Sequence, residues 1–588
     1  MKDIHFGNVE LTSKYLEEKF SKVALLFICL LITAMFTTAC GGGGKATPPS
    51  YPYFPINNQA NNNQENNNEE APVASTEVAL TLTDSLQSDK IATADIFYSV
   101  EDNTKKSSAE DQEILKAEPN ADDNTKFTVK VPDGIDFAKA KIKAILTYDS
   151  EGNLLDYFSS YNGIEATNCN FNIDFENSKD NKEGFDGGTG TKDDPFIISA
   201  PRHFANINKI DDNGDYLYLD KYFKQTEDID FSHLTGLKIN TTQENKKLVD
   251  VAIDVKNEKA PFYKNGKGIV PIGIPPYTGE NETTEINAKA FQGNYDGYDH
   301  IIDGIIIVNP TYHYGGLFPE TENATIQNIT IGENSIFFID KLTEFYSVGV
   351  IQIGAISGWL RNSTIDKCQN NSEILITNLD GNYAYCMLSL HGIALSQDEN
   401  STIKNSKNTG NITVSNCKIK SWGHYSATGI GIVNNCGSNT NNTNEGNINI
   451  INNQFTGNDK AGLIIQNNEN KYTNTGHITI DNNTNLKDID IYINAIYDDS
   501  GMNDCTNDGH ITITNNKLDD GTDGSIDVID FYAYSFSNCI NNGYILIDSN
   551  SGNYYIAKAM NILGGPGATN KGKVTYNGVE GEIINNYL

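Results

Sequence analysis

The chain has 588 residues, 77 acidic against 43 basic side chains, a formal net charge of −34 and a sequence pI near 4.5. The length suits two or three domains. The charge argues against nucleic acid and against anionic membrane surfaces as electrostatic partners, because both repel an acidic protein.

Residues 1–39 read as a targeting segment. Lys19 and Lys22 precede an apolar run, Val23 to Phe36, and Thr37-Thr38-Ala39-Cys40 follows. This order resembles a bacterial lipoprotein signal: basic residues, a short apolar core, small residues, then the Cys that becomes the lipidated first residue of the mature chain. The resemblance implies lipidation at Cys40 and attachment through that lipid to a membrane of the bacterial envelope, at the outer membrane or cell surface. Gly41–Gly44 resembles lipoproteins carried to the surface, and no Asp follows Cys40 to signal inner-membrane retention. An uncleaved membrane anchor is the other reading, for which the run falls short of the roughly 20 residues of a spanning helix. Residues 40–75 hold the lipidated Cys and a tether rich in Gly, Pro, Asn, Gln and Glu, which cannot bury enough apolar surface to fold.

Residues 76–176 change character. Glu77–Leu82, Ile96–Val100, Phe127–Val131, Lys143–Tyr148 and Phe171–Phe175 are strand-like runs separated by polar turns, which predicts a small antiparallel β-sandwich-like domain. Its only cysteine is Cys169, so it holds no internal disulfide. A spacer and a carbohydrate-binding module are the two roles open to it, and no aromatic cluster marks the second.

Residues 187–365 carry Gly187-Gly188-Thr189-Gly190-Thr191-Lys192-Asp193-Asp194-Pro195-Phe196-Ile197-Ile198, a short helical stretch at 201–207, and then Asp228-Ile229-Asp230-Phe231. Phe291-Gln292-Gly293-Asn294-Tyr295-Asp296-Gly297, His300 and Gly315-Gly316-Leu317-Phe318 follow. The order resembles bacterial surface proteins with GLUG-motif repeats. Tyr298-Asp299 and Pro319 depart from that pattern, and Val348 to Ile365 looks like a further repeat. The resemblance implies a right-handed parallel β-helix with a capped start and an adhesin-like or cell-wall role; it does not imply a catalytic site.

From Cys368 to Tyr576 one short pattern returns seven times, 29 to 38 residues apart: Asn, any residue, Gly, then apolar residues two and four places on. The Asn residues are Asn370, Asn408, Asn444, Asn474, Asn507, Asn541 and Asn570; the Gly position holds Ser372 in the first copy. A period of this length signals a repeat architecture, and alternation signals strands with one buried face. Stacked copies put equivalent residues above one another, so the Asn residues are expected to form an inward amide ladder, with Asn507→Ala costing about 1–3 kcal/mol. The Gly suits a turn that asks for positive φ. Two residues before each Asn stands a small or thiol residue, including Cys368, Cys505 and Cys539, with Asn442 and Tyr472 breaking that row. Cys505 and Cys539 are expected to stay reduced, because stacked Cβ atoms point the same way and a disulfide wants them about 3.8 Å apart.

The expected fold is therefore all-β: a β-sandwich-like domain at 76–176 and a capped right-handed parallel β-helix at 187–588. Few residues assemble for chemistry. A Ca²⁺ loop starting at Asp211 needs Gly at place six and Glu at place twelve, which hold Tyr216 and Tyr222. His477 and His510 follow the repeat Gly and read as an outer surface pair rather than a metal site. Asp498-Asp499 and Asp519-Asp520 read as turn caps, and Arg202 and Arg361 are the only arginines. No catalytic, cofactor or metal residue is assigned. The expected function is a lipid-anchored surface protein with adhesin-like binding or a structural role, its partners a membrane and a glycan or protein of the host or cell surface. The alternative is a polysaccharide lyase or glycoside hydrolase, which requires a groove lined by several carboxylates and at least one base.

Overall fold

A computed structural model describes residues 76–581 apart from 84–87, 101–113, 123–124, 132–134, 168–169, 176–179, 242–250, 275–287, 310–313, 342–347, 380–384, 397–399, 421–423, 429–437, 457–460, 467–472, 493, 497–505, 519–523, 534–539, 552–553, 564–568, 571–573 and 577–578. The chain is all-β with one short described α-helix. Strands β1 (Thr76–Thr83), β2 (Thr93–Val100), β3 (Ile114–Pro119), β4 (Lys126–Val131), β5 (Ala140–Tyr148), β6 (Leu154–Glu165) and β7 (Asn170–Asp174) form one sheet in the order β6-β5-β2-β3-β4-β1-β7. The expected sandwich of two sheets is thus replaced by a single curled sheet whose edge strands β6 and β7 approach each other. The reason lies in β1, which pairs antiparallel with β4 on one side and parallel with β7 on the other, joining what would have been two layers. Alternation fills its inside: Val78, Leu80 and Leu82 pack with Phe127, Val129 and Val131.

Strand β5 is buried on both faces from Ala144 to Tyr148. Its Ala144, Leu146 and Tyr148, with Phe97 of β2, belong to the core of the following region. That region begins with β8 (Phe196–Ile198), α1 (Pro201–Asn206), β9 (Tyr222–Gln225) and β10 (Ile229–Asp230). From there the described strands pair mostly in parallel, the exceptions being the antiparallel pairs Leu237–Thr241 with Val251–Val255 and Val574–Tyr576 with Val579–Gly581, and register shifts interrupt a few of the parallel ladders. Successive passages of the chain visit the main sheets in a recurring order. Thr364–Asp366, Gln369–Asn370, Glu373–Thr377, Tyr385–His391 and Ala394–Ser396 make one such passage, and Thr402–Lys404 begins the next. The first passages are filled by aromatic rings, later ones by isoleucine. Phe204 of α1 packs edge-on against Phe231, Tyr295 and Phe318 at 5.9 to 6.4 Å, so the helix closes the aromatic end.

One row of register partners runs Ile229, Ile302, Ile331, Asn370, Asn408, Asn444, Asn474, Asn507, Asn541, Asn570. The glycine two residues beyond the Asn is not needed for a positive φ; Gly410, Gly446, Gly476, Gly509 and Gly543 lack one. A Cβ at Gly446 would collide with the Gly410 carbonyl oxygen and crowd Asn408 Nδ2 at 2.8 Å, so the position demands close approach between passages. Positive φ falls instead on Asn416, Asn452, Asn482 and Asn515, at 53° to 59°. Asparagine tolerates that conformation because its short polar side chain bonds locally.

Asn442 also corrects the sequence reading. It continues its row rather than breaking it: buried, it accepts the Ser406 backbone N–H at 2.8 Å, just as Ser406 Oγ accepts that of Cys368 at 3.2 Å.

Candidate functional site

Five of the seven predicted ladder residues come together; Asn541 and Asn570 continue the row in backbone register, and their side chains lie outside the described ones. Asn370, Asn408, Asn444 and Asn474 each donate Nδ2 to the Oδ1 of the next Asn at 2.8 Å, ending on Asn507. All five are buried. A second ladder escaped the sequence reading: the Cys417 N–H donates to Asn453 Oδ1 at 3.0 Å, and Asn453, Asn483 and Asn516 each donate Nδ2 to the next Oδ1, ending on Asn550, at 2.9 to 3.0 Å. Its signal was present, since these residues all stand five places after the first isoleucine of a repeat. Both ladders are structural, because every amide is consumed inside.

The groups open to a ligand lie elsewhere, in a cleft of about 770 Å³ between the N-terminal sheet and the first parallel strands. That volume is within the range of small-molecule sites. Its floor is built by the pairing of β10 with Ile301–Asp303, which makes Asp230 and Asp303 register partners. Parallel partners point the same way, so the two Asp side chains leave the same face of neighbouring strands, which are about 4.8 Å apart. Asp303 accepts the Asn334 backbone N–H at 2.9 Å and Asn334 Nδ2 at 2.7 Å; Asp230 accepts the Ser232 N–H at 2.8 Å. Gly332 permits this arrangement, because a Cβ there would overlap the Asp303 carboxyl group.

Both carboxylates are buried, and burial raises their proton affinity above the ordinary range, with the Asp230 charge adding to the effect at Asp303. Facing them from β5 is Lys143, its Nζ donating to the Tyr161 carbonyl oxygen at 2.5 Å. Burial lowers the Lys143 pKa, and the charges of Asp230 and Asp303 oppose that fall. Lys141, Lys238 and Lys256 complete four lysines around the opening. Burial and then the neighbouring Lys238 depress Lys256. Glu333 and Glu373 lie at the rim, and Phe97 stacks on His233 at 4.7 Å. Chemically, the cleft offers cations, paired carboxyl groups and amide or hydroxyl donors in one space.

Other residues singled out by sequence are committed elsewhere. Asp211 Oδ1 accepts the N–H groups of Asn213 and Asp215 at 2.8 and 2.9 Å, closing its own turn. His477 and His510 stack at 4.8 Å with an interplanar angle of 7°. Their Nδ1 atoms accept the backbone N–H of His510 and Tyr544, which leaves the proton on each Nε2, where a metal would have to displace it. Arg361 pairs with Glu320 and Glu322 of the preceding passage, and its guanidinium lies 5.4 Å from the Trp359 ring. Cys40, Cys169, Cys505, Cys539, Asp498-Asp499 and Asp519-Asp520 lie outside the described residues.

A hydroxyl, an imidazole and a carboxylate also line up: His203 Nε2 is 2.8 Å from Asp180 Oδ1 and Nδ1 is 3.3 Å from Ser199 Oγ. This is a clamp at the start of α1. The Ser199 N–H donates to Nδ1 at 3.2 Å, the Ser199 hydroxyl donates to Asp186 at 2.8 Å, and Arg202 holds Asp180 with two bonds. His203 is the third helical residue and reaches back past the N-cap Ala200 to the backbone N–H of Ser199. Comparison with family models, with curated proteins and with solved structures finds no match.

Proposed function

We propose that the chain is a lipid-anchored protein of a bacterial cell surface, that residues 187–588 wind as a right-handed parallel β-helix, and that the cleft at its N-terminal end binds a glycan of the host or cell surface. The recurring order of registered parallel strands supports the winding, and parallel crossovers are right-handed as a rule. The Lys19 to Cys40 pattern supports the anchor. The observation that carries binding is the cleft itself, where Lys143 faces Asp230 and Asp303 among amide and hydroxyl groups. Such a lining suits a hydroxyl-rich ligand, and four lysines in a chain of net charge −34 admit its acidic substituents. The test is a glycan array probed with the purified full chain and with Lys143→Ala/Lys256→Ala. At least a tenfold loss in the variant is expected, and equal binding by both proteins removes the reading. For the anchor, Cys40→Ser is expected to abolish palmitate labelling and release the protein from membranes; retention with an intact leader would point to a spanning anchor instead.

A second reading, cleavage of the bound polysaccharide, draws on one observation. The Asp230–Asp303 register pairing puts two carboxyl groups on neighbouring strands in one cleft, the pair of acids that glycoside hydrolysis needs. In this reading Asp230→Asn stops release of reducing ends while binding persists. No release from any glycan the protein binds would leave the cleft a binding site alone.

A further inference from the structure

A second concavity lies on the outer face of the sheet formed by β8, β9, Asn294–Asp296 and Thr325–Gln327, apart from the cleft. It is a groove of about 270 Å³, and Tyr298 stands at its edge. Tyr298 is 51% exposed, the only aromatic among the described large side chains left so open.

Its backbone is costly. Tyr298 and Asp299 have φ of 50° and 65°, and the His300 N–H returns to the Gly297 carbonyl at 2.9 Å, so two consecutive left-handed residues make the turn. Such turns favour Asn and Gly. This chain follows that preference at most of its other left-handed non-glycine positions, which are largely asparagine, and Tyr298 is the one aromatic among the described ones. A bulky residue in this region is held against strain, and strain of this kind gathers at ligand sites. Folding alone does not ask for a tyrosine here.

The surroundings hold the ring ready. Asp296 accepts the Tyr298 N–H at 3.0 Å, Asn328 Nδ2 at 2.8 Å and Gln327 Nε2 at 2.6 Å, which locks the turn to two passages of the chain. Lys224 Nζ lies over one face of the ring, 4.1 Å from its centroid, so the opposite face is the one left for a ligand to stack on. An apolar ring face beside a short groove edged by an ammonium, a carboxylate and an amide matches one or two sugar rings, whose C–H faces stack on aromatics while their hydroxyls reach polar neighbours.

We infer that the Tyr298 groove is a saccharide subsite separate from the cleft, with Tyr298 the stacking platform and Lys224, Asp296 and Gln327 the hydroxyl partners. The test is native affinity electrophoresis of the full chain in gels containing xylan, mannan, pectin or hyaluronan. Wild type is compared with Tyr298→Gly, Tyr298→Phe and the cleft variant Lys143→Ala/Lys256→Ala. At least one polysaccharide should retard the wild type, Tyr298→Phe should keep that retardation, and Tyr298→Gly should lose it at least tenfold. The melting temperature of Tyr298→Gly should be unchanged or higher, because glycine relieves the left-handed strain. The cleft variant should keep the Tyr298-dependent component. Equal retardation of Tyr298→Gly and wild type, no retardation by any of the four polymers, or a lower melting temperature for Tyr298→Gly would each overturn the assignment. Loss confined to the cleft variant would leave the cleft reading standing and remove this one.

Discussion

Asn370 is the register partner of Ile331, and between these two residues the buried row changes from hydrocarbon to amide. The first amide of the ladder therefore has no Asn before it to donate to its Oδ1. Ser372 supplies the missing donors: its backbone N–H reaches Asn370 Oδ1 at 3.0 Å and its hydroxyl at 2.5 Å. In later copies the position is glycine and the preceding Asn does that work, so the one departure from the repeat stands where the ladder starts.

Ser372→Gly should therefore destabilise the protein by about 1 kcal/mol, the net value of one buried hydrogen bond. Asn444→Ala should cost more, about 1–3 kcal/mol, because it strips a donor from Asn474 Oδ1 and an acceptor from Asn408 Nδ2. Asn507→Ala belongs to the same class. Denaturant midpoints of the three variants check the order; a cost for Ser372→Gly as large as that for Asn444→Ala would contradict this account of the ladder's start.

Gly446→Ala tests close approach against conformation. The added methyl meets the Gly410 carbonyl oxygen, a backbone atom that cannot swing away, so a loss of about 3 kcal/mol or more is expected. Asn452 has φ +59°, and Asn452→Gly should fall within about 1 kcal/mol of wild type, because glycine accepts the conformation but loses side-chain bonds to the Asn416 row. If the two substitutions have equal effects, the glycine is not a spacing residue.

The repeat was legible because stacking makes each position meet its own kind, so Asn, Gly and the isoleucine pair recur with their neighbours. The φ of the glycine was not legible, since a close carbonyl and a left-handed turn select the same residue. The single curled sheet was hidden for a different reason: β1 and β7 pair in parallel through their backbones across about 90 residues of sequence, as Ala79 with Asn170, with no side-chain pattern to announce it. The cleft was hidden in the same way. Lys143, Asp230 and Asp303 come from three elements without a shared spacing, and only the register of β10 brings the two carboxylates together.

The buried thiols should be inert. Cys368 and Cys417 are 1% exposed, and burial pushes both up to about 12. Reaction with iodoacetamide requires thiolate and access, and both are withheld. Peptide mapping after brief alkylation at pH 8 should find these two cysteines unmodified in the native protein and fully modified in guanidinium. Rapid native labelling at Cys417 would show that its row opens locally.

The last prediction concerns acid. His391 is fully buried, with Nε2 2.8 Å from the Ser389 hydroxyl, and burial lowers its pKa from 6.5 to about 3. The folded chain keeps this imidazole neutral while the unfolded chain protonates it near 6.5. The stability it contributes is therefore fully present above pH 6.5 and is lost as pH falls from there towards 3, at about 1.4 kcal/mol per unit. By pH 5 the loss is about 2 kcal/mol. Asp230 and Asp303, whose folded affinity for protons is raised, act in the opposite direction at lower pH, but they are common to wild type and variant and cancel in a difference. His391→Gln removes the titration and keeps a polar group near Ser389. Its stability should fall less than that of wild type between pH 7.5 and pH 5, by about 2 kcal/mol, whatever its absolute stability. Guanidinium unfolding of both proteins at the two pH values measures that difference. Parallel pH dependences would mean that His391 is solvated or protonated in the folded chain.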